Sequence, residues 1–189
     1  LEGISGSGKS TLLQAILQSP RFVQREFLSS VVLTEHHTQR VIEAMELEGT
    51  RSTRDNVALL DGHVRYLENF RAHLDTMAWR ENGRINMRVP FIFERFHLTH
   101  VCHYPDVFWE DVQEIDERLA ALDTKLCLLT VDAGDLEQRI TRRRDEHWRE
   151  FLTRHGNSVE AVVRHYLVQQ EKFRELSAKS SMETCLIDT

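Results

Sequence analysis

Residues 1–11 read Leu1-Glu2-Gly3-Ile4-Ser5-Gly6-Ser7-Gly8-Lys9-Ser10-Thr11. Within this stretch Gly3, Gly8, Lys9 and Ser10 stand at the spacing G-x-x-x-x-G-K-[ST]. Glycine lets the backbone curve so that several N–H groups point to one centre, and the positive end of the next helix dipole adds to their field. The stretch therefore predicts a loop that holds phosphate groups, with a flexible glycine-rich turn as the alternative.

The residues that follow predict the helix that a phosphate-binding loop requires. Apolar residues recur at helical spacing until a proline ends the run, at Leu12, Leu13, Ile16, Leu17 and Pro20. In such a loop the lysine reaches the β- and γ-phosphates, and the hydroxyl that follows it ligates magnesium. We therefore expect Ser10 to ligate magnesium and the following loop residues to bind phosphate: Gly3, Ser5, Gly6, Ser7, Gly8, Lys9, Ser10 and Thr11.

The composition is that of a single ordinary domain. The chain has 189 residues, of which 41% are hydrophobic and 29% charged, and it contains no apolar run of the roughly 20 residues that a membrane helix needs. A formal charge of −6 argues against bulk binding to nucleic acid. The three cysteines, Cys102, Cys127 and Cys185, have no close pairing and are typical of reduced thiols in a cytoplasmic protein.

Strands and helices alternate along the chain. Short apolar runs predict strands over residues 30–34, 89–93, 125–131 and 183–187. Periodic segments predict helices over 54–81 (with a break near Gly62 as an alternative), 108–122, 136–148 and 159–176. With a strand leading into Gly3, this order predicts an α/β fold with a five-stranded parallel sheet and helices on both faces. Because only Leu1 and Glu2 precede Gly3, we expect the sequence to begin inside that strand, and we expect a C-terminal helix to be missing.

Carboxylates follow two of the predicted strands. Glu35 comes after 30–34, and Glu94 comes after 89–93 with Arg95 beside it. In parallel sheets, ligands bind at the carboxyl ends of the strands. Glu94 is therefore a candidate magnesium ligand, Arg95 a candidate clamp for an acceptor phosphate, and Glu35 a carboxylate facing the acceptor. A solvated turn is the alternative for each.

An arginine-rich segment follows the third predicted strand. Arg139, Arg142 and Arg143 share one helix face, because they lie three and four residues apart. Planar guanidinium groups suit phosphate and keep their charge at any working pH. We predict a lid over about residues 133–150, with an ordinary solvated helix face as the alternative.

Four motifs spread over nearly the whole chain together form a known pattern: Glu2-Gly3 before the loop, Glu94-Arg95, Thr130-Val131-Asp132 followed by Leu136 to Arg143, and Leu186-Ile187-Asp188-Thr189. They resemble the thymidylate kinase and deoxynucleoside kinase families. The resemblance implies the P-loop NTPase fold in one domain, 1–189. It also implies ATP and Mg²⁺ as cofactors, and transfer of the γ-phosphoryl group of ATP to a nucleoside or nucleoside monophosphate.

The resemblance also implies roles for individual residues. Lys9 and Ser10 hold ATP and magnesium, Glu35 is the base or orienting carboxylate, Glu94 assists the metal, Arg95 clamps the acceptor, and Arg139 and Arg143 close over the phosphates. The chain departs from the family pattern mainly near the acceptor: His36 stands where proline is usual, Phe96 follows Arg95, and Asp145 occupies a common lid arginine position. The use of ATP is therefore better supported than any named acceptor.

Several other interpretations stay open. A kinase of another small metabolite and a nucleotide-binding regulator without catalysis both fit the loop, and a homodimer is a further partner to test. His97, His100 and His103, with Cys102, suggest either a zinc site or a polar loop near the acceptor, and zinc needs more convergent ligands than this spacing secures.

Overall fold

Helices make up most of the residues that the computed structural model describes, which are 1–20, 30–78, 89–142 and 158–189. These helices are α1 (Lys9–Leu17), α2 (Gln39–Leu47), α3 (Thr53–Ala78), α4 (His97–His103), α5 (Trp109–Ala121), α6 (Ala133–Arg142) and α7 (Val159–Lys179). Short strands lie between them: β1 (Val31–Leu33), β2 (Phe91–Phe93), β3 (Lys125–Thr130) and β4 (Glu183–Asp188). A 3₁₀ turn, Glu35–His37, follows β1. None of the described helices is long and apolar enough to cross a membrane.

The predicted five-stranded parallel sheet of a P-loop NTPase fold is wrong. The described strands form two separate parallel pairs, β1 with β2 and β3 with β4. Leu1 and Glu2 lie between the pairs: the Leu1 carbonyl accepts from the Arg95 N–H, and Glu2 makes a single parallel bridge to Leu128. Gly3 then turns away with φ +135°. The segment between the pairs is therefore too short to form the strand that would join them.

The predicted positions of the strands and the long helices agree with the structure to within a few residues. The long helix is unbroken at Gly62, because the fully buried Leu60 and Val64 anchor it to the core on either side of the glycine. The predicted helix over 136–148 begins earlier, at Ala133, and its described part ends at Arg142. The rest of the predicted lid, including Arg143, lies outside the described residues.

Helix α4 occupies the segment with His97, His100 and His103, for which the sequence suggested either a zinc site or a polar loop. The Glu2 carboxylate accepts hydrogen bonds from the backbone N–H of Phe96 (2.9 Å) and from both the backbone and the hydroxyl of Thr99. These bonds satisfy N–H groups that the start of a helix leaves without partners. The polar-loop prediction is wrong because the residue that stabilises this helix start lies at the other end of the sequence.

Ion pairs between helices and apolar packing hold the helices around the two sheets. Arg118 of α5 reaches Asp61 (2.6 Å) and Glu68 (2.7 Å) of α3. His97 of α4 reaches Asp116 of α5 at 2.9 Å. The core between these elements includes Ile4, Leu60, Val64, Leu98, Val112, Leu128, Leu136, Tyr166 and Phe173. Because Ile4 belongs to this core, the packing fixes the glycine loop in place.

Candidate phosphate-binding site

The loop between Glu2 and α1 has the backbone of an anion cradle. Gly3, Gly6 and Gly8 have φ values of +135°, +83° and +82°, a region that residues with a Cβ atom rarely adopt. A Cβ on Gly3 would also overlap the carbonyl oxygen of Leu129. The N–H groups of Gly6 and Gly8 have no acceptor among the described residues, and the loop leads directly into the N-terminus of α1. Free N–H groups and a helix N-terminus together favour a bound anion.

The Lys9 side chain packs against this loop and bonds to its backbone. Its Nζ donates to the carbonyl oxygens of Gly3 (2.9 Å) and Ile4 (2.7 Å), and only 4% of the residue is exposed. Burial lowers the pKa of Lys9 to about 7, and the charge of Arg95 acts in the same direction. An amine with this pKa gains its proton readily when an anion arrives, because the anion repays the cost of burying the charge.

Ser10 and Glu94 meet beside the loop. The Ser10 hydroxyl donates to Glu94 Oε1 at 3.3 Å, although the two residues are 84 positions apart in the sequence. Glu94 is buried, and its backbone N–H bonds to the carbonyl of Leu33 at the end of β1. A hydroxyl and a carboxylate are hard oxygen donors, which is the donor type that Mg²⁺ prefers. The donor set therefore fits the predicted magnesium.

Mg²⁺ does not require a cage of protein ligands. Among the described residues, no group of three or more histidine, cysteine, aspartate or glutamate side chains is arranged to hold a metal. Mg²⁺ usually takes one or two protein oxygens and completes its octahedron with water and phosphate oxygens. The Ser10–Glu94 pair meets that requirement once phosphates occupy the loop.

Arg95 joins the loop to the predicted acceptor side. Its guanidinium group donates to Ser5 Oγ (3.1 Å) and to Gln39 Oε1 (3.2 Å), and its Nε lies 2.7 Å from Glu35 Oε2. The Nε–H does not point at that oxygen, so the Glu35 contact is an ion pair without a hydrogen bond. Among the described residues, Nη1 and Nη2 therefore each donate one hydrogen bond, and the Nε–H has no acceptor. Arg95 itself has φ +57°, so the chain turns sharply where β2 ends.

Glu35 is held as a carboxylate. Burial alone would raise the pKa of Glu35, but the charges of Arg95 and Arg40 outweigh it and the net pKa is lowered. Arg40 contributes directly, with its Nη2 3.2 Å from Glu35 Oε1. The side chain of Glu35 keeps a quarter of its surface exposed. Glu35 is therefore ionised and accessible at neutral pH.

Gln39 and Tyr166 belong to this network, and neither was predicted from the sequence. Gln39 is buried at the start of α2 and accepts from Arg95, and Tyr166 of α7 is buried near Ser5. Burial raises the pKa of Tyr166, and a contact with Ser5 acts in the opposite direction. No local motif in the sequence indicates either residue, because both reach the site only through the packing of their helices.

The arginine helix approaches the loop from the other side. The Cβ of Arg139 lies 3.9 Å from the position that a Cβ on Gly6 would take. Arg139 Nη1 donates to the Thr189 hydroxyl at 2.7 Å, and that hydroxyl lies 3.3 Å from the Ser7 carbonyl oxygen. The predicted lid residue Arg139 therefore lies beside the loop. The predicted loop residue Thr11 is exposed on the first turn of α1.

Apart from Arg143, which lies outside the described residues, the predicted site residues fall into one region with two sides. The loop, Lys9, Ser10 and Arg139 form the phosphate side, and Glu35 with Arg95 forms the other, with Glu94 between them. The histidines of α4 bond to protein partners: His97 to Asp116, His100 to Asn56 at 2.8 Å and His103 to Gln169 at 3.2 Å. No protein-family model, curated protein or solved structure matches this chain.

Proposed function

We propose that this protein is an ATP- and Mg²⁺-dependent kinase that transfers the γ-phosphoryl group to a nucleoside or nucleoside monophosphate. The observation that carries the proposal is the contact of Ser10 with Glu94 beside a loop in which the N–H groups of Gly6 and Gly8 have no acceptor in the described part of the chain. A polyphosphate in the loop would bring its outer oxygens to this pair. Magnesium, when bound there, neutralises the charge that develops on the phosphates.

The phosphate side supplies positive charge at the point of transfer. Lys9 takes up a proton as the phosphates bind, and its ammonium group then turns from the Gly3 and Ile4 carbonyls to the phosphate oxygens. Arg139 stands next to Gly6 and adds a second cation. Arg143 is predicted to supply a third cation. Cations fixed in this way stabilise the transferring group more than the bound substrate, which is what lowers the barrier.

Glu35 is suited to hold the attacking hydroxyl of the acceptor. An ionised carboxylate accepts a hydrogen bond from a hydroxyl, orients its oxygen in line with the phosphorus, and takes the proton as the new bond forms. Arg95 pairs with Glu35 and still has donors for an acceptor phosphate, because among the described residues two of its five guanidinium N–H groups make hydrogen bonds, to Gln39 and Ser5. We therefore propose both a nucleoside and a nucleoside monophosphate as acceptors to be tested.

The test is transfer from labelled ATP to a panel of nucleosides and nucleoside monophosphates, with Glu35→Gln and Glu43→Gln compared. Glu43 also pairs with Arg40, so its variant is a matched control. We expect turnover to fall by a factor of about 10² or more in Glu35→Gln, with ATP binding and Glu43→Gln turnover little changed. ATP binding without transfer to any acceptor would indicate a nucleotide-binding regulator without catalysis. Transfer only to a non-nucleoside would indicate a kinase of another small metabolite.

We propose a cytoplasmic location for this activity. The three cysteines are free thiols, which supports a reducing compartment. Fractionation of cells that produce the full protein, with activity measured in each fraction, tests the location directly.

The net charge of −6 supports a small-molecule acceptor rather than nucleic acid.

A further inference from the structure

Two of the cysteines are register partners on neighbouring strands. Cys127 of β3 pairs with Cys185 of β4 in the parallel ladder, and the pairs on either side, Leu126 with Thr184 and Leu128 with Leu186, hold that register. Paired residues of neighbouring strands point to the same face of a sheet. Strands lie about 4.8 Å apart, which is within the roughly 4.4–6.8 Å that a disulfide needs between Cα atoms.

The two thiols differ in access. Cys185 is exposed, whereas Cys127 is partly buried and burial raises its pKa. The third cysteine, Cys102, lies in α4, is also partly buried, and has its pKa raised further by burial. A thiol reacts as its thiolate, so the exposed Cys185 is the first to react, and Cys102 is the least reactive of the three.

We infer that Cys127 and Cys185 form a reversible disulfide with a low-molecular-weight disulfide as the oxidant. The Cys185 thiolate attacks the oxidant, whose S–S bond breaks to give a mixed disulfide on Cys185 and one free thiol. Cys127 then loses its proton to solvent and attacks the Cys185 sulfur, which releases the second thiol. Overall, two protein thiols are oxidised to one disulfide, and one oxidant disulfide is reduced to two thiols.

The exposure of Cys185 makes this bridge accessible to reduction. Exposed disulfides are among the labile ones, because an external thiol can reach their sulfur atoms. The bridge would form beside the glycine loop, because the Cys127 carbonyl accepts the N–H of Glu2 at 2.9 Å.

The experiment is incubation of the full chain with oxidised glutathione, followed by alkylation under denaturing conditions and peptide mass mapping. We expect a linked pair of Cys127 and Cys185 peptides, lighter by two hydrogen atoms than the reduced pair, with Cys102 alkylated. Dithiothreitol restores both free thiols. Cys102→Ser is the matched control and keeps the bridge, whereas Cys127→Ser stops at the mixed disulfide on Cys185.

Cys185→Ser, which changes an exposed position, provides a second variant should Cys127→Ser fold poorly. It is expected to leave Cys127 free for alkylation. The inference is overturned if wild-type Cys127 is alkylated while Cys185 carries glutathione, or if Cys185 links two chains on a non-reducing gel. A bridge that includes Cys102 would overturn it as well.

Discussion

The hydroxyl of Ser10 lies 3.3 Å from Oε1 of Glu94, so the first turn of α1 and the end of β2 meet at one point. This contact brings together the only two residues that we predicted as metal ligands. It depends on the separate placement of the loop by Ile4 in the core and of Glu94 by its bond to Leu33. A substitution of one side chain of this pair should therefore change the Mg²⁺ requirement.

Glu94→Gln is expected to raise the Mg²⁺ concentration needed for half-maximal ATP turnover by about 10- to 100-fold. The amide keeps the shape of the side chain and removes the negative charge that faces Ser10. A Mg²⁺ titration at fixed ATP measures the effect. Glu114→Gln, on the exposed surface of α5, is the control and should not shift the curve. An unchanged Mg²⁺ requirement in Glu94→Gln would remove Glu94 from the metal site.

MgATP binding is expected to weaken as pH rises above 7. Lys9 has a pKa of about 7 in the free protein and is protonated in the phosphate complex, so binding takes up a proton at higher pH. Affinity then falls by about tenfold per pH unit until the pKa of the complex is reached. Calorimetry from pH 7 upward measures this slope. The Lys9→Met variant should bind MgATP more weakly, and its affinity should no longer fall with pH. If the affinity of the variant still fell with pH, a group other than Lys9 would be responsible.

Gly3→Ala is expected to be more destabilising than Gly8→Ala. Both glycines have positive φ, which costs a residue with a Cβ about 1–2 kcal/mol. A Cβ on Gly8 meets open space, whereas a Cβ on Gly3 overlaps the Leu129 backbone carbonyl. Urea unfolding of the two variants gives the comparison. Equal losses of unfolding free energy would mean that the close approach at Gly3 is not present in solution.

Asp116→Asn is expected to lower the unfolding free energy at pH 7 by about 2–4 kcal/mol. Burial alone would raise the pKa of Asp116, but hydrogen bonds from His97, Ser180 and Ser181 outweigh it and the net pKa is lowered. A lowered folded pKa gives stability that is present above the unfolded pKa of about 3.9 and is lost as pH falls through the folded value.

The loss caused by Asp116→Asn should therefore shrink in acid. Urea unfolding from pH 7 down to about pH 3 measures this. Asp75→Asn is a suitable control, because Asp75 is an exposed residue that pairs with Arg71, one helical turn away. That substitution should stay within about 0.5 kcal/mol of wild type at every pH.

The loop, the long helices and the strand positions could be predicted because their signals are local. Three glycines and a lysine at fixed spacing specify the turn, and apolar residues every three or four positions specify α3 and α7. The sheet could not be predicted in this way. Whether two strand pairs join depends on a continuous backbone ladder between them, and here the bridge at Glu2 ends where Gly3 turns.

The sequence by itself determined which chemical groups are present: a glycine-rich loop with a lysine, the carboxylates Glu35 and Glu94, and the cation Arg95 at strand ends. The tertiary structure alone decided how they are paired. It placed Ser10 against Glu94 and Arg95 beside Glu35, Gln39 and Ser5. It also stabilised α4 through Glu2, 94 residues from Phe96. Spacing along a chain fixes only neighbours within a turn or strand, whereas contacts across such separations depend on the packing of the whole core.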